Sequence, residues 1–232
     1  MEDLVHTGEG IQLLLNAEVL ERIGLGQRRA CYRLLNTGYC VKCYRSDAEI
    51  AEGKYPGRVP LVPLAPAVVS EISRRRFDER RNTCCEEFEY WKNFLRKLPA
   101  DVAAIFPERV EKRLLPERGW CIVEELILNA DGSLPVLFRA AYEAATEAGK
   151  ADLIAAYDRL MDSMVRYAVK VYDPQNVMVQ TLADGSYRLR IADFEPASRM
   201  FIPIDSMTPF LVRLKIRRRF LRFRGKVIAG IM

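Results

Sequence analysis

Two oxygen-bearing side chains set the chemistry this sequence could do. Asn176 stands in Pro174-Gln175-Asn176 and Asp193 in Ala192-Asp193-Phe194. Between them, Val177 to Gln180 and Tyr187 to Ile191 read as two short strands, with Ala183-Asp184-Gly185-Ser186 as the hairpin turn. Such a ribbon brings Asn176 and Asp193 to neighbouring places at one end. An amide oxygen beside a carboxylate is the hard donor pair that Mg²⁺ takes, with phosphate oxygens filling its other positions. Taken singly, both are also ordinary turn residues. Asp173, at the entrance to the ribbon, is the other carboxylate nearby. It could take a proton, help hold a cation, or start an Asp-Pro turn.

The elements that must hold this end in place, and complete a phosphate site, come earlier in the chain. Ile11 to Leu15 and Val19 to Ile23 are short apolar runs that read as strands leading into Gly24-Leu25-Gly26. Glycines there let a backbone close over phosphates with its N–H groups as donors, or merely turn a hairpin. Gln27, Arg28 and Arg29 come next, so phosphate contact would rest on side-chain charge. After the Asn36-Thr37-Gly38 turn, Tyr39 to Tyr44 reads as the returning strand, with Lys42 between Val41 and Cys43. An ammonium inside an apolar strand needs an anionic partner or an edge open to water, because burying it unpaired is expensive.

Residues 54 to 68 include Pro56, Pro60, Pro63 and Pro66 and read as an extended loop. From Val69 to Lys97 the pattern is helical, with Phe88, Trp91 and Leu95 as an apolar stripe. Arg109 to Leu115, a Pro116-Glu117-Arg118-Gly119 turn and Trp120 to Glu124 form a second hairpin. Beyond the Asn129-Ala130-Asp131-Gly132 turn, helix formers dominate from Leu134 to Ala148 and from Ala151 to Val169. A strand-rich part followed by a helix-rich part implies an α+β chain of two lobes. The cleft between lobes is a common place for a small-molecule site.

Gly24-Leu25-Gly26, Val41-Lys42, a helical glutamate, Asn176 and Asp193-Phe194 occur in a telling order. They resemble the Gly-rich loop, strand lysine, helical glutamate, catalytic-loop asparagine and Asp-Phe-Gly segment of the protein-kinase-like superfamily, over nearly the whole chain. More narrowly, Gly-Leu-Gly-Gln-Arg-Arg-Ala-Cys-Tyr from Gly24, Val-Lys-Cys-Tyr from Val41 and Glu-Phe-Glu-Tyr-Trp from Glu87 are similar to the YrbL-type family. That small bacterial kinase-like family is named for the PhoP regulatory network, and Pro174-Gln175-Asn176 and the basic C-terminal helix share in the likeness.

The resemblance implies a protein-kinase-like two-lobed fold, with an N-lobe over 1–124 and a C-lobe over 125–232. It implies Mg²⁺–ATP as the bound nucleotide, with Gly24, Gly26, Arg28 and Lys42 on the phosphates. Glu86, Glu87 and Glu89 compete to pair with Lys42, and the family match favours Glu87. Glu124 falls in the hinge Val123 to Leu126, whose backbone would receive adenine. Asn176 and Asp193 would hold the metal. The pattern also breaks. Arg29 replaces the third glycine, and Cys31 the valine that packs on the base. Val171 replaces the aspartate that accepts the substrate proton, after Val169 and Lys170. Asp173 is then the carboxylate left as a relocated catalytic base. Glu195-Pro196 replaces the glycine after Asp193-Phe194, and only Ala197 to Ile204 precede the next apolar stretch. No peptide-docking platform fits that length.

Composition bounds these readings. Half of the 232 residues are hydrophobic and 29% are charged, an ordinary globular balance. No apolar run approaches the roughly 18–20 residues of a membrane span. The acidic Met1-Glu2-Asp3-Leu4-Val5-His6 start lacks the order of a secretory signal, so a cytoplasmic location is expected. Six cysteines include Cys40 and Cys43 at knuckle spacing, but a strand sends those two to opposite faces. Leu211 to Lys226 holds Arg213, Lys215, Arg217, Arg218, Arg219, Arg222, Arg224 and Lys226, more than the whole chain's net charge of +5. Val212, Ile216, Phe220 and Phe223 share one helical face there. This basic amphipathic helix reads as binding an anionic membrane surface, peripherally at the inner membrane, or as packed on the helical lobe. Nucleic acid has no base-reading motif to support it.

Three functions fit these residues. The first is an atypical kinase-like protein that binds Mg²⁺–ATP and transfers phosphate to a small-molecule or lipid-linked acceptor. The second is a catalytically inactive pseudokinase, a regulatory or binding module. The third is a basic nucleic-acid-binding regulator.

Overall fold

The computed structural model describes residues 20–25, 29–35, 37–44, 84–115, 119–171, 173–193 and 208–231. Gly26, Gln27, Arg28, the run Ile11 to Leu15, the proline-rich 54–68 and the stretch 194–204 lie outside them. The chain is α+β and divides into two units. The first comprises Met1–Phe88 and Arg109–Leu126, the second Glu89–Glu108 and Ile127–Met232. This differs from a boundary after Glu124, because residues 89–108 pack with the second unit.

The first unit is built on a five-stranded antiparallel sheet, ordered β1-β2-β3-β5-β4. Its strands are β1 (Leu20–Leu25), β2 (Arg29–Leu34), β3 (Tyr39–Tyr44), β4 (Arg109–Leu115) and β5 (Gly119–Glu125). Gly24 lies in β1 just after a bulge, opposite Cys31. Thr37 closes the β2–β3 turn by donating its N–H and hydroxyl to the Leu34 carbonyl, at 3.2 and 2.9 Å. Alternation gives the sheet two distinct faces. Leu34, Val41, Cys43, Cys121 and Val123 pack together on one, and Cys40 points to the other. Tyr44 and Ile122 meet Cys84 and Phe88 of the helix α1 (residues 84–93) on that second face. Phe88 therefore belongs to this core while Trp91 and Leu95 belong to the other unit's, so the expected single stripe serves two cores.

The second unit combines a three-stranded sheet with helices. The strands are β6 (Val136–Leu137), β7 (Val177–Thr181) and β8 (Tyr187–Ile191). Helices α2 (Ala100–Ala103), α3 (Phe138–Ala144), α4 (Glu147–Arg166) and α5 (Pro209–Ile228) surround them. The helix expected over Leu134 to Ala148 is broken, since Thr146 caps α4 by accepting from the Gly149 N–H at 3.2 Å. Tyr157 of α4 centres the core, with ring centroids 4.7 Å from Phe138, 5.5 Å from Phe220 and 6.0 Å from Phe223. The α5 face of Val212, Ile216, Phe220 and Phe223 is thus packed inward.

The end of α4 sets the course of the loop beyond it. Ala168 takes a left-handed φ of 50°, a place usually given to glycine. Its N–H reaches the Val165 carbonyl at 3.1 Å, and the Val169 N–H reaches Met164 at 3.0 Å. This closing turn ends the helix at Arg166, three residues earlier than sequence periodicity suggests, and drives Val169 into the core, fully buried. Alanine in that conformation is strained by roughly 1–2 kcal/mol. Ala168→Gly should therefore raise unfolding free energy by about 0.5–1 kcal/mol after the entropy of a freer unfolded chain is subtracted. Urea titration of both proteins measures it; a loss of stability would refute the strain.

Candidate functional site

The charged centre of the first unit arises from strand register. Cys31 faces Lys42, Lys42 faces Ile122, Cys40 faces Glu124, and Arg109 faces Glu124 across the other edge of β5. Arg29, Lys42, Arg109 and Glu124 therefore share one face of the sheet, and α1 lays Glu87 against it. Lys42 Nζ is 2.7 Å from Glu124 Oε1 and 3.8 Å from Glu87 Oε1. Arg109 Nη2 is 3.4 Å from Glu124 Oε2. Arg29 and Arg109 both donate directly to the Glu87 carboxylate. Glu87 is 0% exposed and no member of the five exceeds 7%.

Such burial costs several kcal/mol per ion before attraction offsets it. Burial alone would raise the Glu87 pKa. Arg29, Lys42 and Arg109 overcome that penalty and hold the carboxyl at about 2, against an ordinary 4.5. Of the three competing glutamates, Glu87 is thus the one found 3.8 Å from Lys42, while Glu124 lies nearer to that ammonium, at 2.7 Å. Thiols beside the cluster are pushed the other way. Burial raises Cys84 to about 11, and a hydrogen bond with Cys31, then burial, raises Cys40. Neither is a ready thiolate.

The polar pair of the second unit is set by its hairpin. Val177 faces Ile191, so the residues just outside that rung meet. Asn176 Nδ2 donates to the Asp193 carbonyl at 2.9 Å. This hydrogen bond uses the amide nitrogen and not its oxygen. Asp173 caps the short helical turn Pro174–Asn176, its carboxylate accepting from the Gln175 N–H at 3.1 Å, and it is exposed. That is the turn-starting task among its three readings, and it leaves the carboxylate in water. Val171 is fully buried in the core. The Lys170 N–H donates to Tyr90 Oη at 2.7 Å, which pins the loop from its other side.

Several expected site residues take different places. Gly24 is in β1, whereas Gly26 and Arg28 lie outside the described residues. Arg29, grouped with phosphate contacts from sequence, turns inward because strand alternation aims it at Glu87. Glu124 lies within β5, flanked by β3 and β4, so it contributes its carboxylate to the cluster rather than a strand edge to adenine. Arg109 was not singled out from sequence. Its signal is faint: an arginine opening a strand whose cross-strand neighbour, Glu124, is acidic.

The donor chemistry fits Mg²⁺. One amide oxygen and one carboxylate form a small hard set that leaves most positions to phosphates. Among the described residues no cluster of three or more His, Cys, Asp or Glu competes as a metal site. No family model matches the chain, and neither does any curated protein.

Glu87 makes stability depend on acid. The unfolded carboxyl takes its proton near 4.5 and the folded one only near 2. Its contribution is therefore complete above pH 4.5 and lost as the pH falls toward 2. Glu87→Gln should flatten that part of the curve and cost about 3–5 kcal/mol at neutral pH, because the cations lose their counter-charge. Chemical denaturation at a series of pH values gives both numbers; an unchanged acid slope would show that Glu87 is not the titrating group.

Proposed function

We propose that the chain is a kinase-like protein of two-lobed fold that binds Mg²⁺–ATP. The observation that carries this is Lys42, buried in mid-strand between two carboxylates, with helical Glu87 at 3.8 Å. The two carboxylates hold that ammonium in place, and phosphate oxygens would take the place of Glu124 on it. Asn176 and Asp193 would hold the metal in the second unit. Bound there, Mg²⁺ would neutralise phosphate charge and align the transferred group.

Phosphoryl transfer draws most of its acceleration from positioning and charge neutralisation, so a missing base need not abolish it. An acceptor would be a small-molecule or lipid-linked hydroxyl, with Asp173 as the exposed carboxylate within reach of the Asn176 turn. Val171 favours a second reading, a pseudokinase that binds nucleotide without turnover. A fully buried valine at the proton-accepting position is fitted for packing and cannot take a proton.

Calorimetry of ATP binding with and without Mg²⁺ tests the nucleotide site. Wild-type protein should bind in a Mg²⁺-dependent way, and Asp193→Ala should weaken that binding about tenfold or more. No binding by the wild type would overturn the proposal. Asp173→Asn separates the two readings: lost turnover with nucleotide affinity kept marks an active enzyme, whereas binding with no turnover in either protein marks the pseudokinase.

A further inference from the structure

The helix α5 is apolar on two opposite faces. Val212, Ile216, Phe220, Phe223 and Val227 are at most 7% exposed and fill the core. At 100° per residue, Phe210, Leu214, Leu221 and Ile228 line up on the opposite side. They are 64, 50, 44 and 49% exposed, with Leu211 beside them at 44%. A helix docked on a core normally turns a polar face outward.

Its cations divide in the same way. Arg213, at the edge of the buried face, donates to the Val165 and Arg166 carbonyls at 3.2 and 3.3 Å. Arg224 pairs with Asp158 at 3.0 Å. Arg217, Arg218, Arg222 and Lys226 are exposed and make no ion pair among the described residues. No acid occurs anywhere from Pro209 to Ile228.

We propose that this outer face docks the protein on an anionic lipid surface, with α5 lying flat and its inner face still in the core. Of the two sequence readings of the Val212–Phe223 face, packing on the helical lobe is the one observed, so lipid would meet the opposite face, and this stands independently of nucleotide binding. The apolar stripe reaches below the headgroups while the flanking arginines meet lipid phosphates. Twenty residues give roughly 30 Å of contact along the surface. Charge complementarity selects the occupant: exposed Arg217, Arg218 and Arg222, with no acid on the helix, demand an anionic partner, and the leucines demand one with an apolar interior. A second copy of the helix fits poorly, since Arg217 and Arg224 interrupt the heptad seam of Phe210, Leu214, Leu221 and Ile228. A nucleic-acid backbone has no use for the exposed stripe.

No helix among the described residues is long and apolar enough to cross a membrane, so the contact is one of surface. Co-sedimentation of the full chain with vesicles tests it, comparing phosphatidylcholine alone with phosphatidylcholine mixed with phosphatidylglycerol. Binding is expected only to the mixed vesicles. Reversing Arg217, Arg218 and Arg222 to Glu should weaken it roughly a hundredfold. Leu214→Ser with Leu221→Ser should weaken it about tenfold or more. All five positions are exposed, and circular dichroism verifies that the variants fold. Absence of binding to mixed vesicles, or equal binding to neutral ones, would overturn the proposal. So would vesicle binding that ignores the leucines, or tighter binding to duplex DNA than to vesicles.

Discussion

The first unit depends on one buried carboxylate. Glu87 joins α1 to the sheet through Arg29 of β2, Arg109 of β4 and Lys42 of β3, while Glu124 of β5 balances the latter two. Four strands and a helix thus meet in one charged centre. In so dry a place each charge is worth several times its value at a surface, and a partner removed leaves a cost that nothing repacks around. Apolar contacts would tolerate small slips of α1 along the sheet. Two guanidinium groups on one carboxylate do not, because their hydrogen bonds demand direction as well as distance. The apolar residues Tyr44, Cys84 and Ile122 lie against this centre and keep water from it.

The second unit reaches its polar pair by packing instead of charge. The left-handed turn at Ala168 ends α4 and sends Val169 and Val171 into the core. The chain then leaves that core with Asp173 capping its last turn, and the Val177–Ile191 rung fixes the depth at which Asn176 meets Asp193. The positions of both side chains are therefore consequences of backbone geometry on either side. Asn176 adds its amide N–H bond to the Asp193 carbonyl, which fixes the amide through its nitrogen.

Much of this was legible from residues alone, wherever local rules decide. Tyr39–Tyr44 and Tyr187–Ile191 have the same limits in sequence and structure, because alternation and a turn mark them. Lys42 between valine and cysteine already pointed to either an anionic partner or an edge open to water, and the family resemblance offered a helical glutamate. What could not be read depends on elements far apart in the chain. Arg109 looks like an ordinary strand opening until α1 is laid on the sheet and Glu87 meets it. Glu124 looks like a hinge residue until both of its neighbours are known. The break at Thr146 competes with a run of good helix formers, and only the cap resolves it. The two apolar faces of α5 were hidden for a similar reason, since periodicity finds one stripe and assigns it no direction.

The two units interleave along the chain, with residues 89–108 of the second lying between the two stretches of the first. That order matters while the protein is being made. β3 leaves the ribosome long before β5, its partner in the finished sheet, at a synthesis rate of about 5–20 residues per second. For several seconds the strand bearing Lys42 has an unpaired edge, and Arg29, Lys42 and Glu87 exist without Arg109 and Glu124. A lysine on an exposed strand edge discourages pairing with other chains. The residue that the folded unit buries among its charges would, until translation passes Glu125, be the guard of an unfinished sheet.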